Sequence, residues 1–449
     1  MTRIRMFTMK TEKMGLVSCT AVVAGNMMGS GIALLPVSLA AIGSITLISW
    51  LLASFGALAL AFVYAKLAAT DPEQGGPVAY AGEIAPILGY QTGVLYFNAN
   101  WIGNLAVAIT GVAYCALFFP VLKQPIPAGI TTIAVIWIFT LINLVGAKWV
   151  GRLVSITVSL LLIPVVFTGI AGWHWFHVSY FIANWNHSSH GDFHAVFSGT
   201  LLCLWSFIGV ESASVDATLV HDPQKTVPRA TMLGVAVAAI VYFLSCTVIS
   251  GLFPSKVVMH SSSPFSLVLN YFVGSWAGKL TAAVIAIACL VSLSSWMMLL
   301  AEAGVKAAKD GTLPAVFAKK NKRDIPAAGL IIISTAMSLL LLLMLTTADT
   351  ANQLFQELIT IAVLLTILPY FYSALNLIDV AEHPVKHWFA LICTLVSMIF
   401  CFSAYMGSQD YALVSVLIIS LMSFVFYVRK DRSIYEKSMY MQRQIRREK

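Results

Sequence analysis

The feature that most constrains the fold is a long succession of apolar segments, each about 20 residues in length, joined by short polar or Pro/Gly connections. A helix of about 20 apolar residues crosses the roughly 30 Å hydrocarbon core of a bilayer. Only 10% of the residues are charged and 59% are hydrophobic, whereas about 25% of a soluble domain is charged. The sequence therefore predicts an all-α polytopic membrane protein rather than a soluble globular one.

We predict about twelve transmembrane helices and treat residues 1–449 as one transmembrane domain. The predicted spans are 16–40, 44–69, 88–119, 127–146, 153–173, 196–220, 230–253, 279–308, 327–346, 353–378, 387–407 and 410–428. The first five spans form a repeat over about 16–173, and the next five form a second repeat over about 196–378. Helices 11 and 12 follow over about 387–428, and residues 429–449 form a tail that we expect in the cytoplasm.

Lysine and arginine are distributed unevenly between the two sides of this topology. Of the 27 basic residues, only Lys123, Lys256 and Lys279 fall on one side, which leaves 24 on the side of the N-terminus. Cytoplasmic loops carry such an excess, so we expect both termini in the cytoplasm. The net charge of +8 then belongs beside anionic lipid and does not indicate nucleic acid.

Two predicted spans contain breaks at matching positions. The first contains GNMMGSGIALLP (25–36) and the sixth contains LWSFIGVESASVDA (204–217). Each opens a five-helix repeat, and paired interrupted helices of this kind indicate an inverted-repeat transporter. An unwound segment at Gly29, Ser30 and Gly31 would offer backbone N–H groups to a substrate carboxylate. Close helix packing through small residues is the alternative.

Glu211 lies in the middle of the sixth predicted span. A carboxylate near the bilayer centre costs about 2.5–3.5 kcal/mol, so we expect Glu211 to face a cavity and to have a partner. A proton or cation contact is the functional interpretation, and a structural partner is the alternative. Two carboxylates near span ends, Glu302 and Glu357, are weaker candidates. The structural alternative is a pair with Lys306, one turn later, for Glu302 and solvation for Glu357.

Aromatic residues near the broken spans are candidates for binding a cation, because a desolvated cation gains about 0.5–2 kcal/mol over an aromatic face. They are Tyr80, Tyr96, Trp205, Tyr242, Trp296 and Tyr370. Five of the nine histidines fall in or beside one predicted external loop: His174, His177, His187, His190 and His194. External pH sensing is one interpretation of this cluster, ordinary loop histidines are another, and metal binding is the weakest.

Signatures of cofactor chemistry are missing from the sequence. The seven cysteines show no CxxC spacing, and there is no phosphate-binding GxxxxGK[ST] or strand-linked GxGxxG motif. We therefore expect no metal, no cofactor and no ATP-driven transport within this chain. A membrane-embedded enzyme and a signalling receptor are the rival classes, and neither a catalytic constellation nor a regulatory domain supports them.

Several motifs together resemble a known family. They are GNMMGSGIALLP (25–36), GGPVAYAGEI (75–84), YQTGVLYFNANWIGNLA (90–106), LLCLWSFIGVESASV (201–215), CLVSLSSWMML (289–299) and ILPYFYSALNLI (367–378). The chain resembles the bacterial basic amino acid/polyamine antiporters of the amino acid–polyamine–organocation superfamily. The likeness is greatest to the lysine/cadaverine exchangers. The resemblance implies a LeuT-like fold of twelve helices in a 5+5 inverted repeat, with helices 1 and 6 broken, in the bacterial inner membrane.

The resemblance also implies roles for residues at matching positions. The substrate would contact Asn26, Met27, Gly29, Ser30, Gly31, Tyr96, Asn100, Asn104, Trp205, Ile208 and Trp296. Gating and proton coupling would involve Glu211, Tyr96, Tyr80 and Tyr242. Compared with arginine exchangers, Ala362 and the pair Ala99-Asn100 replace residues that would bind a guanidinium. Asn98 and Asn100 add polar groups, which favours an ammonium.

The implied activity is exchange of an external basic amino acid, lysine first, for its internal decarboxylation product, cadaverine. This exchange would support acid resistance together with a cytoplasmic decarboxylase, and the resemblance suggests a homodimer. Ornithine/putrescine exchange, arginine/agmatine exchange and proton-coupled uptake of a polyamine or amino acid remain alternatives.

Overall fold

The computed structural model describes residues 13–70, 76–146, 150–189, 191–212, 220–346, 350–380 and 388–429. The helices of the first half are α1 (Leu16–Met27), α2 (Leu35–Ile42), α3 (Thr46–Thr70), α4 (Pro77–Ile84), α5 (Pro86–Cys115), α6 (Pro125–Val145), α7 (Val150–Ala171) and α8 (Val178–Ala183). Those of the second half are α9 (Asp192–Trp205), α10 (Pro223–Leu252), α11 (Ser255–Met259), α12 (Pro264–Val273), α13 (Ser275–Lys309), α14 (Ala327–Met344), α15 (Ala351–Val380), α16 (Trp388–Met406) and α17 (Asp410–Arg429).

Within the described ranges, nine helices are long and apolar enough to cross a membrane: α3, α6, α7, α10, α13, α14, α15, α16 and α17. The other three predicted spans are α1 with α2, α5, and α9 with the segment after it. Helix α5 has 30 residues, but Asn98, Asn100 and Asn104 lower its hydropathy. The all-α fold of about twelve spans is confirmed, and the three spans that depart from a simple apolar helix all line the central cavity described below.

The break in the first span is confirmed. Regular hydrogen bonding ends where the N–H of Met28 donates to the carbonyl oxygen of Ala24 at 2.7 Å, and a short 3-10 turn, Ser30–Ile32, separates α1 from α2. Side chains satisfy two carbonyl oxygens of the break. Trp205 Nε1 donates to Gly31 at 3.1 Å and the Tyr114 hydroxyl donates to Ala33 at 2.8 Å. The break is stable because its polar backbone is bonded inside the protein rather than facing lipid.

The sixth span is broken after Trp205, as the sequence predicts. The N–H of Phe207 donates to Leu204 at 2.9 Å, and tight bonds of the same three-residue spacing continue to the N–H of Ser212, which donates to Gly209 at 3.0 Å. Gly209 has φ +104°, a conformation that side chains with a Cβ rarely adopt. Glycine at this position therefore lets the chain turn out of the helix just before Glu211.

Two contacts between distant segments define one face of the protein, which we call the basic face. The N–H of His221, just before α10, donates to the carbonyl oxygen of Met14 at 2.9 Å. Arg323 Nη1, just before α14, donates to the carbonyl oxygen of Val145 at the end of α6, at 3.0 Å. The start of α1 thus meets the start of α10, and the end of α6 meets the loop before α14. The alternating direction of the spans places these four ends on one side, the side to which the sequence assigns 24 of the 27 basic residues.

Candidate functional site

A cavity of about 820 Å³, counting its opening to solvent, lies between the two broken spans. The walls come from α1 and the turn after it, α5, α7, α9 and the turn after it, α13 and α15. Among the described residues that line it, none is charged. The cavity therefore suits a substrate that is held by neutral polar groups and aromatic faces.

Most of the predicted substrate-binding residues lie in this cavity wall. They are Asn26, Met27, Gly29, Gly31, Asn100, Asn104, Trp205, Ile208 and Trp296. The side chain of Ser30 lies outside the described residues, and Tyr96 is one turn of α5 away from Asn100. The structure thus brings these residues together around one space. Their binding of substrate stays a prediction.

Trp205 connects both broken spans with α5. Beyond the hydrogen bond of its Nε1 to Gly31, a Cβ on Gly31 would lie 3.0 Å from that nitrogen, and a Cβ on Gly103 would lie 2.9 Å from the far edge of the indole. Contacts this short leave no room for larger residues. The indole is therefore held between two glycines, one on each side.

The polar groups in the cavity wall are mainly amides and hydroxyls. Asn100 Nδ2 donates to the carbonyl oxygen of Tyr96 at 2.7 Å, so its side-chain oxygen remains an acceptor. Asn104 is buried, and within the described part of the chain its Nδ2 has no hydrogen-bond partner. Thr366 donates to the carbonyl oxygen of Ala362 at 2.8 Å. These groups offer both acceptors for an ammonium and a donor for a carboxylate.

Asn98 does not take the place that the sequence suggested. Its Nδ2 donates to the carbonyl oxygen of Val94 at 2.8 Å, and its Oδ1 accepts a bond from Trp101 Nε1 at 2.9 Å. It is absent from the described cavity wall. The physical reason is helical geometry, since Asn98 and Asn100 are two residues apart and so lie on different faces of α5.

Glu211 is buried, with 1% of its surface exposed, and is held by two tyrosines. Its Oε1 accepts a bond from the Tyr96 hydroxyl, and its Oε2 accepts one from the Tyr370 hydroxyl at 2.8 Å. Tyr96 and Tyr370 each lie one turn from a cavity residue, on α5 and α15. Because α5 begins and α15 ends at the basic face, this cluster forms a layer between the cavity and that face. We call Glu211, Tyr96 and Tyr370 the carboxylate layer.

Two more hydrogen bonds lie between the carboxylate layer and the basic face. The Tyr64 hydroxyl donates to Ser373 Oγ at 3.1 Å, and its ring lies 5.8 Å from that of Tyr370 and 6.0 Å from that of Tyr80. One turn further along α15, Asn376 Nδ2 donates to Glu83 Oε2 at 2.7 Å. Tyr80, a predicted gating residue, is thus buried among these side chains. We call the region between the cavity and the basic face, which these side chains fill, the passage. The described residues separate the cavity from the basic face in at least three layers.

Tyr242, the other predicted gating residue, lies behind the break rather than in the passage. It is fully buried in α10, and its ring centroid lies 5.7 Å from that of Phe207 and 5.6 Å from that of Trp50. It is not among the described residues of the cavity wall. This aromatic cluster supports the turn after Trp205 from outside, and a gating role for Tyr242 remains a prediction.

The weaker candidates have partners outside the cavity. Glu302 pairs with Lys320 at 3.7 Å instead of with Lys306, because the loop before α14 folds back over the end of α13. Glu357 Oε1 accepts a bond from Gln353 at 3.1 Å. Among the described residues no three of His, Cys, Asp and Glu form a metal-binding group, and His190 lies outside the described residues.

Eight wall residues and one passage residue were missing from the predicted site: Gly25, Ala99, Gly103, Val107, Val154, Val158, Ser292, Thr366 and Tyr64. The two valines of α7 give no signal in the sequence, since they resemble any lipid-facing valine. Thr366 and Ser292 did carry a signal, as hydroxyl residues within apolar runs. Tyr370 was a candidate only for its position near the broken spans, and its bond to Glu211 gives it a definite place.

In an all-α membrane protein, two broken helices that meet at a central cavity are typical of a secondary transporter. The chain belongs to the amino acid permease family, whose profile matches residues 14–442. The resemblance seen in the sequence is therefore confirmed.

The chain is similar to curated transporters over nearly its whole length. The cadaverine/lysine antiporter of Escherichia coli (strain K12) is 50% identical over 431 residues, which cover 95% of this chain and 97% of that protein. The putrescine transporter PotE of the same strain is 33% identical over 423 residues, or 93% and 96% of the two chains. PotE of Haemophilus influenzae is 32% identical over 423 residues, with coverages of 93% and 97%. The chain is accordingly a transporter and not an enzyme.

Proposed function

We propose that this protein is an antiporter that takes up external lysine in exchange for internal cadaverine. The observation that carries the proposal is its 50% identity with a cadaverine/lysine antiporter over 95% of the chain. The 33% identity with a putrescine transporter makes ornithine/putrescine exchange the second candidate. Both candidates need a site for an alkyl chain with ammonium ends, and the neutral cavity with the carboxylate layer beside it suits both.

Lysine would lie across the cavity between the two breaks. Its carboxylate would face the unwound turn of the first span, where backbone N–H groups and the start of α2 favour an anion. The alkyl chain would lie against Trp296 and Trp205, and the ε-ammonium would be held by an aromatic face and the side-chain oxygen of Asn100. Ala99 and Ala362 offer no side-chain partner for a guanidinium, which ranks arginine behind lysine.

Cadaverine has a second ammonium where lysine has a carboxylate, so it needs a further acceptor. Glu211 follows Ile208, a residue of the cavity wall, by three positions, and it is the carboxylate that would take this role. To approach the diamine it must exchange the hydroxyl of Tyr96 or Tyr370 for an ammonium. The carboxylate layer closes the passage from the cavity to the basic face, and loss of a tyrosine bond to Glu211 loosens this layer. We infer that cadaverine binding and opening of this passage are coupled through Glu211, and that its protonation tunes the coupling.

The charges of the two substrates give the exchange a direction. Lysine enters with charge +1 and cadaverine leaves with charge +2, so each cycle exports one net positive charge. With a decarboxylase that consumes a proton per lysine in the cytoplasm, the cycle would remove acid. In this proposal the basic face is cytoplasmic, both termini lie there, and the protein works in the inner membrane as a homodimer of single-domain subunits. The mass of the purified protein in detergent tests the dimer.

The function is tested with purified protein in liposomes. Uptake of labelled lysine is measured into vesicles that contain cadaverine and into vesicles that contain only buffer, with and without an inward proton gradient. Antiport predicts rapid uptake only into cadaverine-loaded vesicles. Uptake into unloaded vesicles driven by the proton gradient would make the protein a proton symporter instead.

A further inference from the structure

A second concave surface lies on the basic face, away from the cavity, between the end of α3 and the start of α10. Lys66, Lys225 and Arg229 stand at its rim, and its floor includes Ala65, Ala69 and Met232. We call this surface the basic groove. It combines three cations with a mainly apolar floor, whereas the substrate cavity has no charged residue among its described lining. The two sites therefore differ in the chemistry they accept.

The cations of the basic groove are available to an external anion. Lys66 and Arg229 are exposed, and within the described residues neither takes part in an ion pair. The Lys66 ammonium stands 5.7 Å from the ring centroid of Phe62, which holds it over the groove. Lys225 pairs with Asp222 at 3.5 Å but keeps 74% of its side chain exposed. An arginine and two lysines around one groove are suited to binding the oxygen atoms of a phosphate group.

The apolar floor continues away from the basic face as a track along α10. Leu233, Val237 and Ile240 are spaced four and three residues apart, so they share one side of the helix, and they are 48%, 44% and 60% exposed. On α3, Phe55 is 67% exposed. In a membrane-spanning segment such side chains lie against lipid acyl chains. The charged rim thus stands where the headgroup region begins, and the track starts directly below it.

We propose that the basic groove binds an anionic phospholipid, with its phosphate on Lys66 and Arg229 and one acyl chain along Met232 and Leu233. A soluble phosphate would use the rim alone, and a neutral lipid would use the floor alone. An anionic lipid uses both, and basic pockets between helices at this depth are suited to such headgroups. Because α3 follows the first broken span and α10 follows the sixth, the lipid would bridge elements from the two repeats.

The binding is measured by native mass spectrometry of the full-length protein released from detergent, with phosphatidylglycerol or phosphatidylcholine added at equal concentration. The unmodified protein is expected to retain phosphatidylglycerol in preference to phosphatidylcholine. The double variant Lys66→Gln/Arg229→Gln should lower the phosphatidylglycerol affinity about 30-fold, the equivalent of about 1 kcal/mol per basic side chain. The matched control Lys319→Gln/Lys322→Gln, which removes two exposed charges from another loop of the same face, should keep the preference.

A second variant tests the acyl chain. Ala69→Phe fills the floor and leaves every cation in place, so it should also lose retained phosphatidylglycerol. Ala69→Phe remains informative if the double variant does not fold. Thermal unfolding of the double variant without lipid would reveal such a failure to fold. Equal retention by the unmodified and the double variant protein, or equal retention of the two lipids, would overturn the proposal. Displacement of phosphatidylglycerol by inorganic phosphate, with no effect of Ala69→Phe, would replace it with a site for a soluble anion.

Discussion

The indole Nε1 of Trp205 donates a hydrogen bond to the backbone carbonyl oxygen of Gly31, at 3.1 Å. One residue ends the helical part of the sixth span, and the other lies in the unwound turn of the first. A hydrogen bond thus joins directly the two breaks that border the cavity.

Removing that bond should weaken substrate binding. In Trp205→Phe the aromatic face remains, but the Gly31 carbonyl oxygen loses its donor, at a cost of about 1–3 kcal/mol when buried. We expect the KM for lysine to rise about fivefold or more in a countertransport assay. The control is Trp101→Phe, which removes the bond to Asn98 outside the cavity and should leave KM nearly unchanged. An unaltered KM in Trp205→Phe would show that this bond does not contribute to substrate binding.

The fit of the indole gives a second prediction. Gly103→Ala places a methyl group 2.9 Å from the position of the indole edge, so Trp205 must shift and the KM should rise. Gly25→Ala is the matched control, because Gly25 also lines the cavity but a Cβ there meets nothing within 4 Å. The comparison of the two KM values checks the prediction. Equal effects of the two variants would mean that added volume, rather than the position of Trp205, determines binding.

Glu211→Gln should abolish the dependence of exchange on pH. A glutamine side chain keeps the size and can still bind one tyrosine as an acceptor, but it neither ionises nor accepts from both hydroxyls. We expect slow cadaverine export whose rate does not change between about pH 5 and 8, the range in which external acid would act. Glu302→Gln, a carboxylate paired with Lys320 on the basic face, is the control and should keep the unmodified profile. A full pH response in Glu211→Gln would remove this carboxylate from the mechanism.

The membrane potential should influence the exchange through the unequal charges of the substrates. Net export of one positive charge is opposed by an inside-negative potential, by about 2.3 kcal/mol per 100 mV. Lysine uptake into cadaverine-loaded vesicles should therefore slow when a potassium gradient with valinomycin makes the interior negative, and accelerate when the interior is positive. Rates that do not respond to the potential would indicate an electroneutral exchange of two singly charged forms.

The sequence predicted the membrane-spanning helices well because most spans, nine of them among the described residues, carry their own signal of length and hydropathy. The breaks were also predictable, since Gly29-Ser30-Gly31 and Gly209-Val210-Glu211 interrupt otherwise apolar helices. The partner of Glu302 was not, because the fold of the loop before α14 depends on contacts such as Arg323 with the end of α6. The valines of α7 were invisible for a similar reason. Which face of an evenly apolar helix meets the cavity is decided by packing against its neighbours.

The carboxylate layer shows the same limit more sharply. A buried Glu211 requires partners on physical grounds, and Tyr96 was expected on its path. Tyr64 and its bond to Ser373, however, follow from how α3 and α15 cross. Sequence periodicity does not specify the depth at which two helices cross, so the order of layers between the cavity and the basic face came only from the structure.

The measurement that tests the central claim most directly is lysine uptake into vesicles preloaded with different internal amines. Equal concentrations of cadaverine, putrescine and agmatine are compared with buffer alone, and the initial rate of labelled lysine uptake is recorded. Lysine/cadaverine exchange predicts fast uptake with cadaverine inside and much slower uptake with the shorter diamine or the guanidine. Equal or faster uptake with putrescine or agmatine inside would contradict the assignment.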